Sequence, residues 1–168
     1  MNEEEVGTSV KLYKVAFDLP EDIAHWARAS AERLWVEKTD RKLEVRVRNT
    51  PFYVKGVAFG DLVKVKPDGE RRELVFDEFV SESGHSTVRV IIKDPDSIGL
   101  VNDLLRGLEC SWEIDSSELL WAIDVPPQID YRSLRLSLLD LNSKGKIGIE
   151  EGAIASEHRS MIELTDSE

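Results

Sequence analysis

The order of predicted elements in the second half of the chain is the feature that most constrains its fold. Residues 87–92 alternate in the manner of a strand, and residues 94–97 (Asp-Pro-Asp-Ser) are typical of a helix start. Two further alternating segments, residues 110–114 and 119–125, flank a turn, and a second helical stripe precedes a last strand at residues 147–149. The order β-α-β-β-α-β is that of the split ferredoxin-like arrangement. We therefore predict a four-stranded antiparallel sheet with both helices on one face.

The first half of the chain is predicted to be mostly β structure. Residues 43–48 alternate between apolar and charged side chains, which indicates a half-buried strand. Pro51 interrupts any regular strand, and Gly56 and Gly60 supply backbone freedom at bends. The one predicted helix spans residues 22–29. We expect an α+β chain in which a small bent β-sheet or partly open barrel packs on the ferredoxin-like half.

The predicted boundary between the two halves is the short connection Ser83-Gly84. Residues 1–84 are expected to form the barrel-like half. Residues 85–168 are expected to form the ferredoxin-like half, with a polar acidic tail from about Ser156. Because the connection is too short for independent movement, we expect the halves to share an interface.

Composition indicates a cytoplasmic globular protein. The chain has 168 residues, of which 41% are hydrophobic and 33% charged. No apolar run approaches the roughly 20 residues that cross a bilayer, and the acidic start, residues 1–5, is unlike a secretory signal. Cys110 is the single cysteine, so an internal disulfide and a zinc site built from several thiolates are excluded.

The charge of the chain is −11 and is unevenly distributed. Residues 1–84 carry 14 Lys and Arg against 17 Asp and Glu, a net of −3, whereas residues 85–168 carry 8 against 16, a net of −8. A field of this sign repels phosphate backbones and anionic membranes, and it attracts basic proteins. We therefore expect a basic protein partner. Solubility alone is the alternative reason for an acidic surface.

The residues predicted to contact this partner lie near turns and strand ends of the second half. They are Glu109, Glu113, Asp115, Glu118, Glu150 and Glu151. Trp35 is also predicted to contact the partner, as an exposed aromatic anchor, because its neighbours on the same strand face are Arg33 and Glu37. Core packing is expected for the other three tryptophans, and Trp112 and Trp121 are predicted to pack across a hairpin.

His85 and Asp61 are the candidate catalytic pair. A carboxylate beside an imidazole is a general-base arrangement, and Asp61 could pair with His85 if their turns meet. In the alternative interpretation, Ser83, His85 and Ser86 bond to local backbone, and Asp61 accepts amide bonds in its own turn. We favour the structural interpretation. The sequence predicts no catalytic residue, no cofactor and no metal site, since the histidines lack a metal-ligand spacing.

A basic face on the first half is the alternative binding surface. Its members are Arg41, Lys42, Arg46, Arg48, Lys55, Lys64 and Lys66. Phe52 and Tyr53 could stack on single-stranded bases, as in barrel-type nucleic-acid binders. Interspersed acidic residues dilute this face, which disfavours nucleic-acid binding.

Four motifs resemble a small bacterial family known only as a domain of unknown function. They are residues 32–36 (ERLWV), residues 51–53 (PFY) with Gly60-Asp61, residues 83–87 (SGHST) and residues 121–127 (WAIDVPP). The resemblance extends from about residue 10 to residue 158. It implies no established activity and assigns no catalytic residue.

In size and acidity the chain is also similar to bacterial immunity proteins, which neutralise toxin domains. The leading hypothesis is a non-enzymatic, acidic protein-binding module, most concretely an immunity protein that binds a basic toxin domain. The first alternative is a nucleic-acid- or ribosome-associated module that uses the basic face. The second alternative is an enzyme built around His85 and Asp61.

Overall fold

The computed structural model describes residues 10–166, with side chains through residue 163. The acidic start of the chain and Ser167-Glu168 lie outside the described residues. The first half contains β1 (Leu12–Asp18), α1 (Glu21–Ala27), β2 (Ala31–Lys38), β3 (Glu44–Val47), β4 (Leu62–Asp68) and β5 (Glu73–Ser81). In the second half are β6 (Ser86–Ile92), α2 (Ile98–Gly107), β7 (Ser111–Ile114), β8 (Leu120–Val125), α3 (Tyr131–Ser143), β9 (Ile147–Ala153) and α4 (Ser156–Asp166).

Strands β1 to β5 form a closed barrel. Neighbours along the chain pair antiparallel, and β5 closes the barrel by pairing parallel with β1. The interior is filled by alternating apolar side chains such as Leu34, Val36, Val47 and Val63. The predicted bent, barrel-like half is therefore confirmed, and the barrel is closed rather than partly open.

The second sheet has the predicted ferredoxin-like topology. Its strand order is β7-β8-β6-β9, and every pair is antiparallel. Val101 of α2 and Leu134 of α3 are buried on one face of the sheet, in the same apolar cluster as Val88 and Val90. The Trp112 and Trp121 rings stack across the β7–β8 pair with centroids 6.0 Å apart, as predicted.

Residues Ser156–Asp166 form a helix, whereas a polar acidic tail was predicted from about Ser156. The anchor of α4 is His158, which is fully buried and stacks on Tyr131 with ring centroids 5.2 Å apart. Met161 and Ile162 pack against the same core. One side of α4 faces the core while the rest is polar, which explains why the segment resembles a tail in sequence.

The two halves meet on the sheet face opposite α2 and α3. Arg89 alternates with Val88 and Val90 along β6, and its buried side chain therefore points towards the barrel half. Its guanidinium donates to the carbonyl oxygens of Pro51 and Val54, at 3.1 and 3.0 Å. The loop between β3 and β4 is thereby attached to the second sheet.

A carboxylate shapes the same loop from the barrel side. The Glu32 side chain accepts hydrogen bonds from the backbone N–H groups of Phe52, Tyr53 and Val54, at 2.7–2.9 Å. These bonds satisfy amides that no strand could pair after Pro51. Across residues 10–166, no helix has the length and apolar character needed to span a membrane.

Candidate functional site

His85 pairs with a carboxylate of the second sheet. Its Nδ1 lies 2.7 Å from Oδ1 of Asp124, and its ring centroid lies 5.3 Å from that of Phe59. A carboxylate accepts the bond, so Nδ1 carries the proton and Nε2 is available as an acceptor. The pairing joins residues 39 apart in sequence. The pairing of His85 with Asp61, which the catalytic alternative required, is therefore wrong.

Asp61 has the structural role that the alternative interpretation assigns to it. One carboxylate oxygen accepts from the amide of Ala58 in its own turn, and the other accepts from the amide of Ser83. Burial raises the pKa of Asp61, and the two amide bonds oppose that shift. Both oxygens are occupied, so Asp61 holds the end of β5 against the loop before β4.

Both hydroxyls beside His85 make long-range hydrogen bonds. Ser83 Oγ donates to the carbonyl oxygen of Phe59 at 2.7 Å. Ser86 Oγ lies 2.6 Å from Nδ1 of His158, whose Nε2 lies 3.1 Å from the carbonyl oxygen of Pro126. Since that carbonyl only accepts, Nε2 of His158 carries the proton and Nδ1 accepts from Ser86. The prediction of local backbone bonds is confirmed for Ser83, whose Oγ accepts from the backbone N–H of His85 at 3.1 Å, but it is wrong for the side chains of His85 and Ser86.

The imidazole of His85 borders a small cleft between the halves, which we call the His85 cleft. Its volume is about 240 Å³, and Glu82 and Arg159 also line it. A paired imidazole with an open Nε2 can accept a proton from a bound hydroxyl or water. In the described part of the chain, no three His, Cys, Asp or Glu side chains gather to hold a metal ion.

Two of the predicted partner residues are engaged in internal ion pairs. Glu150 accepts from Nε of buried Arg89 at 2.7 Å, and Glu151 accepts from Nε of Arg135 at 2.8 Å. They alternate along β9 and face opposite sides of the sheet. Neither carboxylate is free to attract a partner.

The acidic residues of the β7–β8 hairpin are available. Glu113 and Glu118 are exposed, whereas Asp115 is half-buried and accepts bonds from Ser117 Oγ and the amide of Leu120. We call Glu113, Asp115 and Glu118 the acidic hairpin. Glu109 is exposed just after α2, with a left-handed φ of 61°.

Trp35 and Trp26 occupy different surfaces. Trp35 is 43% exposed, as expected, but it lies on the barrel with the Lys14 ammonium 4.9 Å from its ring centroid. Trp26 is 55% exposed, so the prediction of core packing is wrong for this residue. Its ring meets Tyr53 edge-on, with centroids 5.6 Å apart. The seven residues of α1 include none that is buried.

An apolar groove of about 370 Å³ lies beside Trp26. Ile23 and Trp26 of α1 line it together with Ile91 and Leu120 of the second sheet, and we call these four residues the α1 groove. Lys93 and the Arg89–Glu150 ion pair supply its polar lining. The sequence alone could not predict this groove, because its walls come from both halves.

Negative charge accumulates at the hairpin side of the groove. Burial, reinforced by the charges of Asp115 and Glu32, raises the pKa of Tyr53. Burial and the charge of Glu32 likewise raise the pKa of Glu113. Leu120 lines the α1 groove and its backbone N–H donates to Oδ1 of Asp115, so the acidic hairpin adjoins the groove wall at Leu120.

The basic face is largely neutralised by its own neighbours. Five of its members lie within 4.0 Å of a carboxylate: Arg46 and Arg48 with Glu37, Lys55 with Glu150, Lys64 with Glu78, and Lys66 with Asp77. Exposed pairs of this kind stabilise little, but they cancel the local field. A phosphate backbone would find no continuous positive surface among these residues.

Comparison with known proteins shows the fold and the family. The chain is similar to a solved structure described as "Novel crystal structure of a hypothetical protein from Neisseria gonorrhoeae", with a TM-score of 0.66 and 12% sequence identity. That similarity covers 88% of this chain and 96% of the other. The curated proteins include no match. A family model described as "Domain of unknown function (DUF4265)" matches residues 32–149, and the chain therefore belongs to that family.

Proposed function

We propose that this chain is a non-enzymatic protein-binding module that captures a basic, amphipathic segment of a partner in the α1 groove. The observation that carries the proposal is the exposed Trp26 in an apolar groove beside the acidic hairpin. A large aromatic side chain surrounded by apolar walls is typical of the residues that dominate binding energy. The acidic hairpin supplies complementary charge at the rim.

The negative charge of the chain supports a basic protein as the partner. The chain carries −11 overall, and the acidic hairpin adds local negative charge next to Leu120 in the groove wall. A bacterial toxin domain with a basic surface is the most concrete partner, which would make this chain an immunity protein. We place this encounter in the cytoplasm, because the single cysteine, Cys110, is a buried free thiol and needs no oxidising compartment.

The test is stopped-flow association with a purified basic toxin domain encoded beside this chain. Glu113→Lys with Glu118→Lys should slow association about tenfold or more, in line with electrostatic steering, and added salt should have the same effect. Asp115 is left unchanged because it holds the hairpin turn. The matched control is Glu70→Lys with Asp77→Lys, which changes net charge equally on the barrel.

Trp26→Ala tests the groove itself. Removal of a central aromatic anchor should speed dissociation about 30-fold, since such truncations cost about 2 kcal/mol or more. Trp35→Ala is the control, because Trp35 is exposed but lies outside the α1 groove. If Trp35→Ala weakened binding and Trp26→Ala did not, the proposed surface would be the wrong one.

General acid–base chemistry at His85 is a second candidate function. The observation that favours it is the 2.7 Å His85–Asp124 pair in the lining of the His85 cleft. Hydrolysis of p-nitrophenyl acetate and p-nitrophenyl phosphate provides a first assay. Activity that is lost in His85→Gln and reduced in Asp124→Asn, but retained in Trp26→Ala, would support this candidate over protein binding.

A further inference from the structure

The closed barrel has its shortest strand pairing along one seam. Strands β1 and β5 pair in parallel at only two positions, Val15 with Leu74 and Ala16 with Val75. By contrast, β1 and β2 pair at seven positions. Beyond Val75 the two strands no longer pair, and Phe17 and Phe76 stack across the gap with ring centroids 5.0 Å apart.

A cavity of about 410 Å³ lies at this gap, and we call it the seam cavity. Three phenylalanines line it, Phe17, Phe76 and Phe79, together with apolar residues that include Leu19 and Val57. Its volume lies within the roughly 300–1,000 Å³ of small-molecule sites. Side chains in protein interiors ordinarily leave no space of this size between them. The seam cavity can therefore hold the apolar part of a ligand.

Helix α1, which contributes Ile23 to the wall of the seam cavity, is weakly held. Ile23 of α1 lines the cavity, yet none of the seven residues of α1 is buried. An element that buries so little apolar surface can move at small cost in free energy. A ligand therefore has a route into the cavity that leaves the barrel strands in place.

The lining contains one cation, Lys55, that can bind an anionic head group. Two of the lining residues are charged, Asp18 and Lys55. Asp18 is bound by Nη1 of Arg71 at 2.9 Å. Nζ of Lys55 lies 3.8 Å from a Glu150 carboxylate oxygen, beyond hydrogen-bond distance, and that carboxylate also binds Arg89. Lys55 therefore has donors available for a second carboxylate.

We propose that the seam cavity binds an aliphatic monocarboxylate, with its hydrocarbon chain against the phenylalanines and its carboxylate on Lys55. This site is separate from the α1 groove, although Ile23 borders both. The proposal does not depend on a protein partner.

The test is calorimetric titration of the full chain with decanoate below its micelle-forming concentration. Phe79→Asp should weaken binding at least tenfold, because it places a carboxylate in the apolar lining. Val80→Asp is the matched control. Both residues are partly exposed, at 44% and 39%, but Val80 does not line the cavity. Decanoate that fails to bind the wild-type chain, or that binds both variants equally, overturns the proposal.

The role of Lys55 is tested with two ligands that differ only in their head group, decanoate and decanol. Lys55→Met should weaken decanoate binding about fivefold or more while leaving binding of decanol unchanged, and Lys64→Met should change neither. Circular dichroism confirms that each variant is folded. If Lys55→Met weakens decanol as much as decanoate, the assignment of the carboxylate to Lys55 is overturned. Binding of the protein partner to Phe79→Asp at wild-type affinity would separate this site from the α1 groove.

Discussion

Replacement of Gly152 by alanine should disrupt the contact that joins the two halves. A Cβ atom added at Gly152 would lie 2.8 Å from Cζ of Arg89 and 2.9 Å from both terminal nitrogens. Contacts below 3.0 Å require one group to move. The Arg89 guanidinium is buried and is held by Glu150 and by the carbonyl oxygens of Pro51 and Val54, so it cannot move without breaking these bonds.

The magnitude follows from two contributions. Overpacking a well-packed site costs about 1–3 kcal/mol, and loss of one hydrogen bond to a charged group costs about 1.5–3 kcal/mol. We expect a loss of about 3 kcal/mol in the free energy of unfolding. For a chain of this length, that loss lowers Tm by roughly 6–12 °C.

The assay is urea and thermal unfolding followed by circular dichroism. Gly148→Ala is the matched control, because Gly148 lies in the same strand and its added Cβ would lie 3.4 Å from the flexible Lys93 side chain and 3.9 Å from Cβ of Ile91, an ordinary contact. The control should stay within about 0.5 kcal/mol of wild type. If the two variants are equally stable, the Arg89 guanidinium can move aside at no cost, and its hydrogen bonds do not hold the two halves together as argued.

Three further predictions concern single side chains. Glu32→Ala should cost about 3 kcal/mol in urea unfolding, because three loop amides lose their acceptor, whereas Glu37→Ala should cost under about 1 kcal/mol. Burial lowers the pKa of His158 below its ordinary 6.5, so the unfolded chain binds the extra proton first. Stability should therefore be complete above about pH 6.5 and fall as pH drops towards the folded-state pKa, and His158→Gln should remove that slope. Burial raises the pKa of Cys110 to about 11, so Ellman's reagent at pH 8 should react slowly with folded protein and quickly in urea; equal rates would contradict a buried thiol.

Much of the fold was predictable because its signals are local. The alternation in β6 and β8, and the cap residue Asp130, each depend on neighbours a few positions away. The same applies to Asp61, whose bond to Ala58 spans three residues. Residues 94–97 were also predicted to start a helix, but the side chain that caps this start is Asp94 rather than the predicted Asp96 or Ser97. The acidity of the β7–β8 hairpin was also visible in the sequence, since charge needs no fold to be counted.

The partners of individual side chains required the tertiary structure. Asp124 was not a predicted partner of His85, because only the pairing of β6 with β8 brings those residues together. Glu150 and Glu151 were predicted to be available, but Arg89 and Arg135 bind them from separate elements.

The sequence by itself determined the element order of the second half through β9, the α+β class, the family resemblance and the acidic character. Packing alone decided that Trp26 is exposed at a groove, and that His158 is buried and α4 is docked. The physical reason is that periodicity and capping act within a few residues, whereas burial and pairing are set by surfaces that meet only after both halves have folded.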